Sequence, residues 1–245
     1  MRIRFVVVLA FAWTAGAAPA FAQPPAEPKI WTVLASAGLA LTGGNTDTST
    51  VNMAYEVTYD PPTPNVVKSD ALWMRGKTGE TLTTSRLGLN VRNEYGLNAR
   101  AFVFGQNQYL RDEFKSIEYL LAPTAGIGYR LFDTEQTKLA VDGAVGGVWE
   151  KNPAAGARGS GAVAIGEKLT QALTSTTVLT QSVSGLWKTE DFGDALVTAG
   201  ISLAASMSAR MQLKVELLDT FKNRPPVPGV EKNDVAVLMA IVYKM

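Results

Sequence analysis

The sequence predicts an all-β protein, a transmembrane antiparallel up-and-down β-barrel of about twelve strands. Three observations predict it. Segments of about ten residues alternate apolar and polar side chains, the length a tilted strand needs to cross hydrocarbon. Trp and Tyr gather at the two ends of those segments. The N-terminus is built as an export signal.

The signal comes first in chain order. Arg2 and Arg4 precede the apolar run from Phe5 to Trp13, and small residues follow as far as Ala20-Phe21-Ala22. That is a charged region, an apolar region and an A-x-A cleavage site, which predicts a signal peptide over residues 1–22 and a barrel domain over 23–245. Cleavage removes two arginines and no acid, so the 23 basic and 22 acidic residues of the whole chain become 21 and 22. No nucleic-acid partner is expected from such a balance. The chain has neither cysteine nor histidine, which excludes disulfides, thiolate or imidazole metal ligands, and Ser-His or Cys-His catalysis.

No segment beyond the signal has the eighteen continuous apolar residues of a spanning helix. Alternation recurs instead. The first strand is expected from Trp31. The second runs from Thr50 to Tyr59, with Val51, Met53, Tyr55 and Val57 on one face and Asn52, Glu56 and Thr58 on the other. Strands three to six begin near Val66, Arg86, Ala99 and Leu120. In the fifth, Phe102 and Phe104 oppose Val103 and Tyr109, so its greasy side is ambiguous. The seventh, Thr137 to Glu150, alternates Leu139, Val141, Val145 and Trp149 with Lys138, Asp142 and Glu150. The eighth is a short segment, Gly161 to Lys168. Those from Thr176 and Leu196 precede Met211, Leu213, Val215 and Leu217, and the last, from Asp234, carries Val235, Val237, Met239, Ile241 and Tyr243. Turn-rich pieces separate them: Thr42-Gly43-Gly44-Asn45, Asp60 to Asn65, Asn152 to Ser160, and Asn223 to Asn233. An even count places both ends of a bacterial barrel in the periplasm.

With odd-numbered strands running outward, Trp31, Tyr59, Tyr95, Tyr129 and Tyr243 fall at a periplasmic rim, and Trp73, Tyr109, Trp149 and Trp187 at an outer rim. A soluble secreted barrel would also alternate, with its greasy side inward around a ligand. The aromatic sorting favours lipid, and so does a terminal strand resembling those recognised by barrel-assembly machinery, although Met245 stands where Phe is usual.

Three stretches carry a family resemblance: GLALTGGNTDTSTVNMAYEVTY (38–59), FGQNQYLRDEFKSIEY (104–119) and AGIGYRLFDTEQTKLAVDGAVGGVWEK (125–151). They resemble the salt-induced outer-membrane proteins grouped as domain of unknown function 481. The resemblance implies an outer-membrane barrel and a loose association with salt or osmotic response, and no established activity.

The even-numbered face carries Glu56, Lys68, Asp70, Arg86, Arg92, Glu94, Arg130, Lys138, Asp142, Lys214 and Glu216. If odd residues meet lipid, these line the lumen, since Lys or Arg on the lipid side at the midplane costs about 2–4 kcal/mol. They either tune ion passage or bridge one another across a narrow interior, and their near balance of sign favours bridging. Two acidic clusters in expected outer loops, Asp112, Glu113 and Glu118, and Glu190, Asp191 and Asp194, have hard oxygens suited to divalent ions. Neither has the spacing of a calcium loop, so solvated loop acids are the plainer reading. They would otherwise bridge lipopolysaccharide phosphates. The run 156–161 (GARGSG) lacks the Lys-Ser/Thr of a phosphate loop and reads as a hairpin loop. The expectation is a non-enzymatic narrow pore or structural envelope component without cofactor or metal, in contact with outer-membrane lipid and lipopolysaccharide. A His-independent membrane enzyme and a soluble periplasmic binder are the alternatives.

Overall fold

The computed structural model describes residues 30–43, 48–78, 81–113, 115–153, 156–225 and 228–245. The expected signal peptide, 1–22, lies outside the described residues, as does the Gly44-Asn45 half of the first turn. Twelve strands are described: β1 (Trp31–Gly43), β2 (Thr48–Tyr59), β3 (Asn65–Thr78), β4 (Thr81–Gly96), β5 (Ala101–Asp112), β6 (Ile117–Asp133), β7 (Thr137–Asn152), β8 (Gly156–Ala172), β9 (Thr177–Lys188), β10 (Asp191–Ser206), β11 (Met211–Lys222) and β12 (Asn233–Lys244). Each pairs antiparallel with its neighbours in sequence, and β1 pairs with β12 from Leu34–Lys244 to Gly43–Val235, closing the barrel. Closure satisfies every strand edge, the condition for a sheet to sit in hydrocarbon.

The faces follow the period of two. Ile127 (69%), Val145 (66%) and Leu39 (65%) are exposed on the outside, while Ala40 (0%), Met74 (2%) and Leu238 (5%) are buried inside. Odd residues point out and even residues in, because every regular register joins residues of like parity. Four register shifts break the rule locally, two of them between Gly76 and Lys77 and between Asp191 and Ala195. The shift between Leu110 and Asp112 turns Ile117 inward, and the one between Arg130 and Phe132 leaves Phe132 outside.

The ambiguous strand β5 puts Phe102 and Phe104 inside and Val103 and Tyr109 on the odd, outward face. Gly128 of β6 makes this possible: a methyl there would meet the Phe102 ring.

Three strands are longer than expected. β4, β8 and β10 begin at Thr81, Gly156 and Asp191 rather than near Arg86, Gly161 and Leu196. Residues 156–160, expected as a loop, are strand, paired with β7 as far as Asn152–Gly156. Likewise Asp112, Glu118, Asp191 and Asp194 lie in strands rather than loops. These extensions stand beyond the aromatic level of Trp149, where no greasy face is required and ladder hydrogen bonds suffice, so alternation does not announce them.

Following the registers once round returns to β1 displaced by about sixteen residues. For twelve strands this stagger means a tilt of about 40° and a backbone radius of about 12 Å. Side chains reaching inward from opposite walls can meet.

Candidate functional site: the barrel interior

Levels along the barrel axis follow from register and stagger. Trp31, Tyr59, Tyr95, Tyr129 and Tyr243 share one level, at the end joined by the turns 60–64, 97–100, 134–136, 173–176 and 207–210. The Trp31 and Tyr59 rings are 4.5 Å apart. Trp73, Tyr109, Trp149 and Trp187 share a second level, about nine residues further along the strands, or about 22 Å along the axis. All are odd-numbered. The apolar band between them has the height of a barrel's lipid-facing belt.

Inside, near the first level, one wall carries a connected charge network. Glu94 accepts from Lys68 (2.8 Å) and Arg92 (2.9 Å), and Arg130 lies 3.8 Å away. Arg92 also reaches Asp142 (2.9 Å), three strands further round, and donates to Gln106. The aromatic rings beneath hold these cations: the Arg92 guanidinium is 3.6 Å from the Phe104 centroid, and that of Arg130 is 4.8 Å from Phe102. On the opposite wall Lys214 bridges Glu216 (3.0 Å) and Glu56 (3.5 Å), joining β11 to β2. Asp70 accepts from Asn90 (3.1 Å). The outer members of these groups are partly solvated, Lys68 at 43% and Glu56 at 49%, while Glu94 is buried beneath its cations. Lys138 stands at the rim, exposed, in none of the ion pairs among the described residues.

The second level is different. Even residues beside the outer aromatics converge and meet across the lumen. Lys222 of β11 binds Glu150 of β7 at 3.0 Å and Asp194 at 3.2 Å, and Lys188 binds the same two carboxylates at 2.9 and 2.6 Å. Arg86 of β4, expected in the lumen, spans to β11, donating to Thr220 (2.8 Å), with Asp112 at 3.5 Å. Lys115, fully buried, donates to the carbonyls of Glu231 and Lys232 and pairs with Asp234 (2.9 Å). Leu110, Ile117, Leu120, Val148, Leu186 and Leu196 pack together on one side of these bridges, and Met74, Leu218 and Leu238 on the other. Lys222 and Glu150 side chains are each 2% exposed.

Sequence reading assigned no site role to Lys115, Lys188 and Lys222. Lys188 and Lys222 are even residues at strand ends, so alternation continued past Trp187 and Phe221 would find them. Lys115 follows the bulge, where parity gives no signal. The acids of the two clusters meet basic side chains: Asp112 pairs with Arg86, Glu113 with Arg111, Glu118 with Lys151, Asp191 with Arg224, and Asp194 with Lys188 and Lys222. Among the described residues no three acids gather as a cation site.

An apolar outer wall between two aromatic levels, around a charged interior, defines a β-barrel of the outer-membrane type. The chain belongs to the family described as "Protein of unknown function, DUF481", whose model matches residues 35–245. Among solved structures it is similar to the NanC porin, at 11% identity over 86% of this chain and 100% of that one, with a TM-score of 0.58. It is also similar to the translocator domain of the autotransporter NalP from Neisseria meningitidis, at 11% identity over 89% and 90%, TM-score 0.51. The KdgM porin follows at 8% identity over 87% and 99%, TM-score 0.50. At these identities the likeness is one of fold. No curated protein matches the sequence.

Proposed function

We propose that this protein is a non-enzymatic barrel of the bacterial outer membrane whose lumen is a narrow pore, open as a polar vestibule towards the periplasm and sealed at its outer end. The seal carries the reading: the ion pairs of Lys222 and Lys115 and the hydrogen bond from Arg86 to Thr220 cross the lumen at the level of the outer aromatics, backed by apolar side chains. Buried opposite charges that satisfy one another block water and ions, yet a few rotamer changes would separate them, as an apolar plug alone would not allow. The absence of histidine and cysteine removes the usual nucleophile–base pairs and supports a non-enzymatic role. Outer-membrane lipid and lipopolysaccharide are the surroundings that fit the apolar belt, and barrel-assembly machinery is the partner during biogenesis. The link to salt or osmotic stress rests on the family resemblance alone.

Planar-bilayer recording of purified protein tests the pore. The wild type is expected to be shut for most of a recording, with brief small steps, and the Arg86→Ala/Lys222→Ala variant to show longer and larger ones. A wild type that conducts steadily overturns the seal. Silence from both proteins at high salt overturns the pore and leaves a structural envelope role.

A further inference from the structure

Glu167 is out of place. It is an odd residue of β8, paired across the sheet with Val141 and Val183, so its side chain lies on the outer wall. By register and stagger it stands near the middle of the belt between the aromatic levels. Among the described residues it is the one charged side chain on the outer face between those levels. Its sole side-chain partner there is Gln181 of β9, whose amide donates to it at 3.5 Å. That contact leaves lone pairs of the carboxylate, the second amide proton and the Gln181 carbonyl oxygen facing outward. No lipid headgroup reaches the midplane, and an acid there is disfavoured, though less than a cation.

The surrounding surface is shaped for close approach. Gly143 of β7, diagonally beside Glu167, has open space where a side chain would be. Above it the Trp149 and Trp187 rings lie flat over Gly147 and Gly185. Three to four strands further round the wall has no such feature: Val215, Leu217, Val237, Met239 and Ile241 on β11 and β12 form an unbroken apolar surface.

We propose that the β7–β9 face is where a second copy of this chain docks within the membrane, about a twofold axis close to Glu167. The choice of partner follows from the chemistry. Glu167 offers acceptors and Gln181 offers both a donor and an acceptor, so the pair is complementary to itself when rotated by a half turn. Each Gln181 donates to the partner's Glu167, and each Gly143 notch admits side chains from the facing wall. One copy thus supplies both halves of the recognition.

The inference depends on the membrane placement above and is independent of whether the lumen conducts. The chain has no native cysteine, so single cysteines report contact without background. In outer membranes, full-length protein carrying Ile165→Cys is expected to form a disulfide-linked species of twice the monomer mass, and protein carrying Val215→Cys none. Native mass spectrometry from detergent is expected to show a dimer, with Glu167→Leu/Gln181→Leu weakening association about threefold to thirtyfold while retaining heat-modifiable gel mobility. A monomer at all concentrations with no Ile165→Cys cross-link, equal cross-linking at both positions, or a cross-link to a protein of another mass overturns the dimer. Recovery of the wild type outside the outer membrane overturns the placement instead.

Discussion

Glu150→Gln separates a buried charge cluster from its balance. Glu150 and Asp194 face Lys188 and Lys222, two negative against two positive, at 2.6 to 3.2 Å, with the Glu150 and Lys222 side chains 2% exposed. Neutralising Glu150 leaves two ammonium groups on the single carboxylate of Asp194. An unbalanced buried charge of this kind costs about 3–5 kcal/mol. Lys222→Met leaves the opposite imbalance and costs a similar amount. The double variant restores neutrality, with Lys188 and Asp194 still paired, and is expected to lose only about 0–2 kcal/mol. The assay is reversible urea unfolding in lipid vesicles, followed by tryptophan fluorescence and by the gel shift between folded and heated protein. Single losses that simply add in the double variant would show that the four groups are not coupled. A loss below about 1 kcal/mol for Glu150→Gln would show that water reaches the cluster and that the outer seal is loose.

Sidedness has its own test. Ile127 is 69% exposed near mid-belt, so Ile127→Lys should cost about 2–4 kcal/mol by the same unfolding assay if lipid covers it, and almost nothing if water does. Gly128→Leu should drive Phe102 from its place under Arg130 and cost about 1–3 kcal/mol. An unchanged unfolding midpoint would mean that the ring had room to move.

What was legible in the sequence is what the membrane enforces. Hydrocarbon demands a greasy residue at every second position, so Val51, Met53 and Tyr55 or Met211, Leu213 and Val215 announce both strand and face. Beyond the belt that demand lapses, which is why residues 156–160 read as a loop although they pair with β7. The lumen charges could be placed on a face but not matched. Whether Arg86 meets Thr220 depends on the stagger accumulated over all twelve strands, which no local pattern records. Phe102 and Phe104 were ambiguous because nothing near them in sequence shows the space at Gly128 or the guanidinium groups above. Glu167 stood in a segment that read only as short, Gly161 to Lys168, with neither of its faces assigned.

The seam between β1 and β12 sets the order of events in making the molecule. It joins Leu34 to Lys244, so the earliest strand holds an unpaired edge until synthesis of the final one is finished. Until then the growing sheet has two open margins, and each exposes amides that hydrocarbon will not tolerate. Partial insertion therefore has no resting place: a chain lacking β12 is not a slightly smaller barrel but an unclosed sheet with both margins bare. Delay is built in by topology, since the decisive pairing has nearly the largest sequence separation the described chain allows. A catalyst of insertion that shelters the β1 margin and yields it to β12 would shorten that delay.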